Sequence, residues 1–399
     1  MARSTVALIR CTSYDPDVVY NALKRGAELL GGLDRFARAG ERIMLKPNIL
    51  AAEGPETAVT THPAVLAGCT RLLRDAGARV CFGDSPGLDG PNRAAVRSGL
   101  REAGARSGAE FVEFSSPLPL ERRMSASGPL PLERRMHTSD ASPTANPDGA
   151  LVESFPIAGP IHECDGLVNL PKMKTHQLTR ITGAVKNLFG CIPGRRKALY
   201  HVQFPDVMDF SRLLVELNLR LRPRLHVMDG VLAMEGNGPR SGDPRPVNVL
   251  IMSDDPCRLA ALDAEFVPTT TIGGEQGLGR FRPSEIEYLG DPLEAFRQQD
   301  FKVIRKPVYR NASYAHYNLI KNAVLPKPVI DADKCVKCGR CVEACPVPDK
   351  ALRFENGRRA GPPVYHYDRC IRCYCCHEMC PQRAIEKRTP LLGRILQLG

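Results

Sequence analysis

Two matched cysteine runs constrain this chain more than any other feature. The first, CVKCGRCVEACP, places Cys335, Cys338, Cys341 and Cys345 before Pro346, and the second, CIRCYCCHEMCP, places Cys370, Cys373, Cys376 and Cys380 before Pro381. Both follow C-x2-C-x2-C-x3-C-P, the spacing that wraps a cubane [4Fe-4S] cluster. The flanks repeat too, with Asp-Lys before one run, Asp-Arg before the other, and Ala-Leu or Ala-Ile soon after each proline. Two half-motifs therefore make one pseudo-symmetric module. Zinc also takes Cys-x2-Cys pairs, but a structural zinc site is complete with four ligands and needs no third cysteine at this interval. In runs of this kind the fourth cysteine ligates the other cluster. The expected cofactors are two [4Fe-4S] clusters, the first on Cys335, Cys338, Cys341 and Cys380 and the second on Cys370, Cys373, Cys376 and Cys345. Cys375 is the spare thiol.

Six further cysteines, Cys11, Cys69, Cys81, Cys164, Cys191 and Cys257, follow no framework spacing and read as reduced core thiols. The apolar run at the N-terminus is too short for a signal peptide, and no stretch reaches the length of a membrane span. A cytoplasmic protein without an integral membrane span is expected. The short tail PLLGRILQLG is expected to pack back onto its own domain. The formal net charge is +11, and two oxidised clusters at about −2 each bring it near +7. No nucleic-acid-binding module accompanies that excess, so no nucleic-acid partner is expected; a localised anion site fits better.

The first 115 residues alternate apolar strand patterns with helical ones, as in STVALIRC, RIMLKPN and RVCFGDS against HPAVLAGCTRLLRDAG and NRAAVRSGLREAG. Such alternation predicts an α/β fold with a mainly parallel sheet and helices on both faces. The pattern breaks over about 115–150, where PLPLERRM occurs at 117–124 and again at 129–136, reading as a flexible surface insertion. Strands are expected again at LVESFPIA, GLVNLPK, LHVMDGV and VNVLIMS, with helices at DVMDFSRLLVELNLRLRP and DPCRLAALDAEFV. The expected division is a main domain over 1–325, a small α+β ferredoxin-like domain over 326–390 and a tail over 391–399.

Several of these strands end in polar residues: Lys46 and Asn48, Asp84, Asn169 followed by Lys172 and Lys174, and Asp229. Ligands of open α/β sheets bind outside the carboxyl ends of the strands, where such residues converge. The stretch 166–205 contains no acidic residue yet carries Lys172, Lys174, Arg180, Lys186, Arg195, Arg196, Lys197, His176 and His201. Charge of that kind calls for an anionic ligand, a carboxylate or phosphate. Glycines bracket Lys186 and Asn187, and also Glu235 and Asn237, permitting close backbone approach to a ligand. Arg195, Arg196 and Lys197 are expected to be solvated. No Walker loop, dinucleotide fingerprint, serine triad or His-Glu-x-x-His motif is present.

The segments LKPN, THPAVL, GDSPG, NLPKMKTH, TGAVKNLFG and MDGVLAMEGNGP, followed by the double cysteine run, resemble the family catalogued as domain of unknown function 362. The resemblance spans roughly 40–270 and 330–390. It implies a cytoplasmic iron-sulfur protein with an α/β main domain and no assigned reaction. The reading that joins these features is a reductase-like redox protein in which low-potential clusters pass electrons to a small anionic substrate. Lys172, Lys174 and Lys186 would clamp the anion and His176 or His201 would supply protons, with Lys46, Asn48, Asp84, Asn169, Asn187, Asp229, Glu235 and Asn237 completing the pocket. An electron donor or acceptor protein is the expected macromolecular partner. The alternatives are an electron-transfer or maturation partner that docks another protein, and a non-redox enzyme with structural or sensory clusters.

Overall fold

The computed structural model describes residues 4–121, 150–194, 196–257, 267–280, 282–305 and 322–395. Most of the helix expected at DPCRLAALDAEFV, most of the repeated PLPLERRM segment, Arg195 and the middle of the connector after residue 300 lie outside these ranges.

One ten-stranded sheet organises the main domain. Its strands are β1 (Ser4–Arg10), β2 (Arg42–Pro47), β3 (Arg79–Phe82), β4 (Ala109–Phe111), β7 (Gly166–Leu170), β8 (Lys172–His176), β9 (Arg180–Ile181), β10 (Leu225–Glu235), β11 (Asp243–Ser253) and β12 (Ile286–Gly290). The order is β12-β1-β11-β10-β7-β2-β3-β4, with β8 pairing β10 and β9. The run from β10 through β7, β2, β3 and β4 is parallel, and β11 is antiparallel to both of its neighbours.

The apolar run of β2 shows why helices cover both faces. Ile43 and Leu45 point into a core shared with the helices Pro16–Leu29 and Pro63–Asp75, while Met44 points into a second core shared with the helix Val207–Leu221. Side chains alternate across a strand, so a parallel strand buried on both sides reads as continuously hydrophobic.

The helix starts are written locally. Asp15 accepts from Asp17 N (3.0 Å) and Val18 N (3.2 Å) ahead of Pro16, and Asp206 caps Val207–Leu221 in the same manner. The single helix expected at NRAAVRSGLREAG is two, Pro91–Arg97 and Leu100–Ser107, because Gly99 takes a left-handed conformation (φ 75°) between them.

The insertion expected over 115–150 is narrower than its composition suggests. Strand β5 (Leu118–Glu121) pairs antiparallel with β6 (Ser154–Ile157). Leu120 is buried with Phe155 and Ile157, and Arg220 donates to the carbonyls of Leu120 (3.2 Å), Val152 (2.6 Å) and Glu153 (2.9 Å). Both ends of the segment are thus held in register.

The C-terminal part holds two small antiparallel pairs, β13 (Lys327–Ile330) with β16 (Ile385–Arg388) and β14 (Leu352–Arg353) with β15 (Val364–Tyr365). Short helices Arg340–Ala344 and Cys375–Glu378 complete it. The tail departs from expectation: in the helix Leu391–Ile395 the side chains of Leu391, Leu392 and Ile395 are 73%, 53% and 67% exposed, and only Gly393 is buried, its Cα face against Val324. Among the described residues no helix is long and apolar enough to cross a membrane.

Candidate functional site

The parallel strands bring their carboxyl ends together, and the polar residues there form one buried network. Lys46, at the end of β2, lies 2.8 Å from Asp84 Oδ1 and donates to Asn187 Oδ1 (3.0 Å). Asp84 accepts from Ile49 N (2.6 Å) and Ser85 N (2.8 Å). Asn187 donates to Asn169 Oδ1 (2.7 Å) and accepts from Asn48 Nδ2 (2.8 Å); Asn48 Oδ1 accepts from Lys174 Nζ (2.7 Å). Asn169 lies 2.9 Å from His226 Nδ1. Lys46 and Asn187, 141 positions apart, meet because β7 lies beside β2 and the helix Gly183–Asn187 packs on β7.

A second node sits beside it. Lys172 Nζ is 2.7 Å from Asp229 Oδ2, both side chains wholly buried, and Tyr14 donates to Asp229 Oδ1 (2.8 Å) while accepting from Lys172 (3.0 Å). His62 N donates to Asp229 Oδ2 (2.9 Å), and its ring stacks on Tyr14 at 3.4 Å. Burial lowers the Lys172 pKa and Asp229 opposes that shift; burial and Asp229 together push the Tyr14 phenol far up.

The three lysines expected to clamp an anion therefore differ. Lys172 has its own carboxylate. Lys174 donates to Asn48 Oδ1 and Val59 O (2.6 Å) without a bonded carboxylate, and burial drives its pKa well down. Lys186 is half-buried, its ammonium 5.0 Å from the Phe189 ring centre and 6.0 Å from that of Phe210. Among the described residues the Lys186 side chain makes no hydrogen bond or ion pair. Lys197 is not solvated as expected: it donates to Ser85 O (2.9 Å), Ser85 Oγ (2.7 Å) and Ile192 O (2.9 Å), and burial lowers its pKa to about 7. The close backbone approach that glycine permits here is internal, since a Cβ at Gly190 would collide with Asp84 and Lys46.

His201 stacks on Phe210 (4.3 Å between ring centres), and its pKa falls to about 4 through burial and then Lys186. Glu235 turns away from the network, accepting from Lys302 N (3.0 Å).

In the C-terminal part, the left-handed backbone recurs at matched offsets, at Lys337 and Gly339 in the first run and at Arg372 and Tyr374 in the second. The chain turns about a volume in the same manner twice, a geometry that aims backbone N–H groups inward at an anionic centre. Cys335, Cys338, Cys341 and Cys380 line one cavity. The Cys341 thiol is pushed up to about 12 by burial and by its neighbours Cys380, Cys338 and Cys335. In the other set Cys370 is pushed up to about 11, by burial first, with Cys373 and Cys345 adding to the rise. Crowded, buried thiols are poor anions alone and good ligands once iron supplies the counter-charge. The four cysteines around that cavity are the ones the spacing groups for one cluster.

The two parts meet along both cysteine runs, mostly the second. Glu378 Oε1 lies 2.9 Å from His176 Nε2, whose Nδ1 accepts from Leu178 N (3.0 Å). His377 Nε2 is 3.0 Å from Asn237 Oδ1, which also accepts from Gln177 (2.9 Å), and Arg340 pairs with Asp89 at 2.8 Å. Burial acts to raise the Glu378 pKa, but His176, Lys186 and His201 outweigh it and the net shift is downward. Sequence reasoning missed Tyr14, His62, His226 and Glu378. The last had a signal, a carboxylate between two cluster-type cysteines, though Glu343 holds the matching place in the first run.

This combination defines an iron-sulfur protein: an α/β domain whose strand ends abut a module matching the 4Fe-4S dicluster domain over residues 327–381. The main domain matches the family described as Domain of unknown function (DUF362) over 43–128 and 124–265, two segments that meet within the repeated stretch. The chain belongs to that family. It is 32% identical over 282 residues to a thylakoid-associated protein of Synechocystis sp., covering 69% of this chain and 80% of that one. A crystal structure of a Thermotoga maritima protein aligns with a TM-score of 0.35 at 12% identity, over 65% of this chain and 59% of that one.

Proposed function

We propose that the protein is a reductase in which two [4Fe-4S] clusters, held as the spacing assigns them, pass electrons across the junction to a small anionic substrate beside Lys186. The main and cluster-binding parts divide near residue 325. One observation carries this reading. Glu378, between cluster ligands Cys376 and Cys380, reaches His176 of the main domain at 2.9 Å, so the cluster module faces the strand ends with no intervening segment. Bound clusters would supply low-potential electrons. The chain's own residues then have separable roles. Lys46–Asp84 and Lys172–Asp229 are internally neutral and set the architecture. Lys186, without a bonded counter-ion, is the group left for a carboxylate or phosphate, and His176 is placed to hold a proton at Nε2 against Glu378. Lys172 is withdrawn from the clamp, since an anion would have to displace Asp229.

Purification without oxygen, followed by iron and sulfide analysis and mass spectrometry of co-purifying small molecules, tests the proposal. About eight iron and eight sulfide per chain are expected, with a carboxylate or phosphate bound. Cys376→Ser should lose or convert one cluster while Cys375→Ser keeps the iron. Stoichiometric zinc with little sulfide would end the reading.

A second reading has its own support. Three exposed apolar side chains on Leu391–Ile395, together with a relative named for thylakoid association, favour an electron-transfer protein that docks a membrane surface or a membrane-bound partner. Co-sedimentation with anionic vesicles, lost in Leu391→Ser/Ile395→Ser, would favour it.

A further inference from the structure

Away from the strand-end network, two of the six scattered thiols meet. Cys81 Sγ lies 3.5 Å from Cys164 Sγ. Cys81 sits in β3 with its sulfur buried against Met44, and Cys164 lies just beyond the helical turn Gly159–His162, half-buried. Arg42 is beside both, its guanidinium held by Glu110 (3.1 Å) and Glu163 (3.0 Å). The hydrogen bond between them draws the Cys81 thiol below its ordinary range and pushes the Cys164 thiol far above its own, so the pair holds one proton tightly on Cys164, with Arg42 favouring the thiolate of either. A thiol pair near a cation, one member open to solvent and the other behind it, is the arrangement that thiol–disulfide exchange uses.

We propose that Cys81 and Cys164 form a redox-active dithiol that a low-molecular-weight disulfide converts to an internal disulfide. The Cys81 thiolate takes the Cys164 proton across the 3.5 Å contact as Cys164 Sγ attacks one sulfur of the external disulfide; a mixed disulfide forms and one external thiolate leaves, protonated from solvent. Cys81 Sγ, releasing that proton, then attacks Cys164 Sγ, the internal bond forms, and the second external thiol departs with the Cys81 proton. Two protein thiols are oxidised and one external disulfide is reduced to two thiols. The sulfurs need approach by only about 1.5 Å, a disulfide being about 2.05 Å long. The bond would tie β3 to the turn that feeds β7, across the intervening β2. Those three strands lead to Asp84, Asn169 and Lys46.

The test uses full-length, cluster-loaded protein incubated without oxygen in oxidised glutathione. Free thiols are then alkylated and the protein is digested without reduction for mass spectrometry. Most chains should yield the Cys81–Cys164 linked peptide, reversible with dithiothreitol and without loss of iron. In C81A the resolving thiol is gone, and Cys164 should stop as its glutathione adduct. Recovery of both cysteines alkylated while the clusters stay intact, or a glutathione adduct that persists in the wild type, would overturn the proposal. The wild-type measurement stands by itself should C81A fail to fold.

Discussion

Asp229 is the residue on which the buried polar centre depends most. It accepts from Lys172, Tyr14 and His62 N at once, with no solvent reaching it. Replacing it by Asn leaves a buried ammonium without its counter-charge, a change that costs about 3–5 kcal/mol. Urea unfolding should show that loss, whereas a result within about 0.5 kcal/mol of wild type would mean the pair is relieved by a rearrangement. The histidines set the acid side. Burial lowers His226 to about 3, and His201 is lowered to about 4. Below about 6.5 the unfolded chain binds protons that these folded imidazoles refuse. Stability is therefore full above that pH and falls as pH drops toward 4, by about 1.4 kcal/mol per unit for each group. Urea midpoints measured from pH 7 to 5 with cluster absorbance intact should fall, and H226N should flatten the slope. Of these residues, Lys46, Asn48, Asp84, Asn169 and Asp229 were legible as polar endings of apolar strands. Their partners were not, because which lysine meets which aspartate depends on strand order. Glu378 and Glu343 hold matching places in the two cysteine runs, and only the docking of the module tells which one meets the main domain.

At the scale of elements, alternating strand and helix patterns foretold the sheet and its two covered faces, since burial on both sides leaves an apolar run that any reader can see. Composition misled at the insertion. Leu118–Glu121 lies in a Pro-rich, repeated stretch, yet Leu120 packs with Phe155 and Arg220 ties both strand ends to the long helix. Removing 122–149 and joining β5 to β6 by a short turn should change the melting temperature little, because closure entropy depends weakly on loop length. Removing 117–136 takes β5 away and should destabilise by about 2–5 kcal/mol, the cost of truncating a buried leucine together with its strand. Equal melting temperatures for the two deletions would show that β5 contributes nothing to the fold.

For the whole molecule, the claim that matters is that the cluster module and the strand ends work as one unit. Three polar bridges join them, Asp89–Arg340, Asn237–His377 and His176–Glu378, and Met379 packs on Gly87 where a Cβ would not fit. The cysteine spacing announced the module, but nothing in the chain announced where it docks, since each bridge joins residues more than a hundred positions apart. The most direct measurement is cluster reoxidation. Protein reduced anaerobically with dithionite and freed of excess reductant is mixed with the small anion recovered from the native preparation, and cluster absorbance is followed. Wild type should reoxidise with turnover of the anion, and K186M, with unchanged iron, should require about ten- to a hundredfold more of it, the loss expected for one charge-assisted bond. Clusters that stay reduced in the presence of the bound anion, or a K186M protein indistinguishable from wild type, would contradict the account.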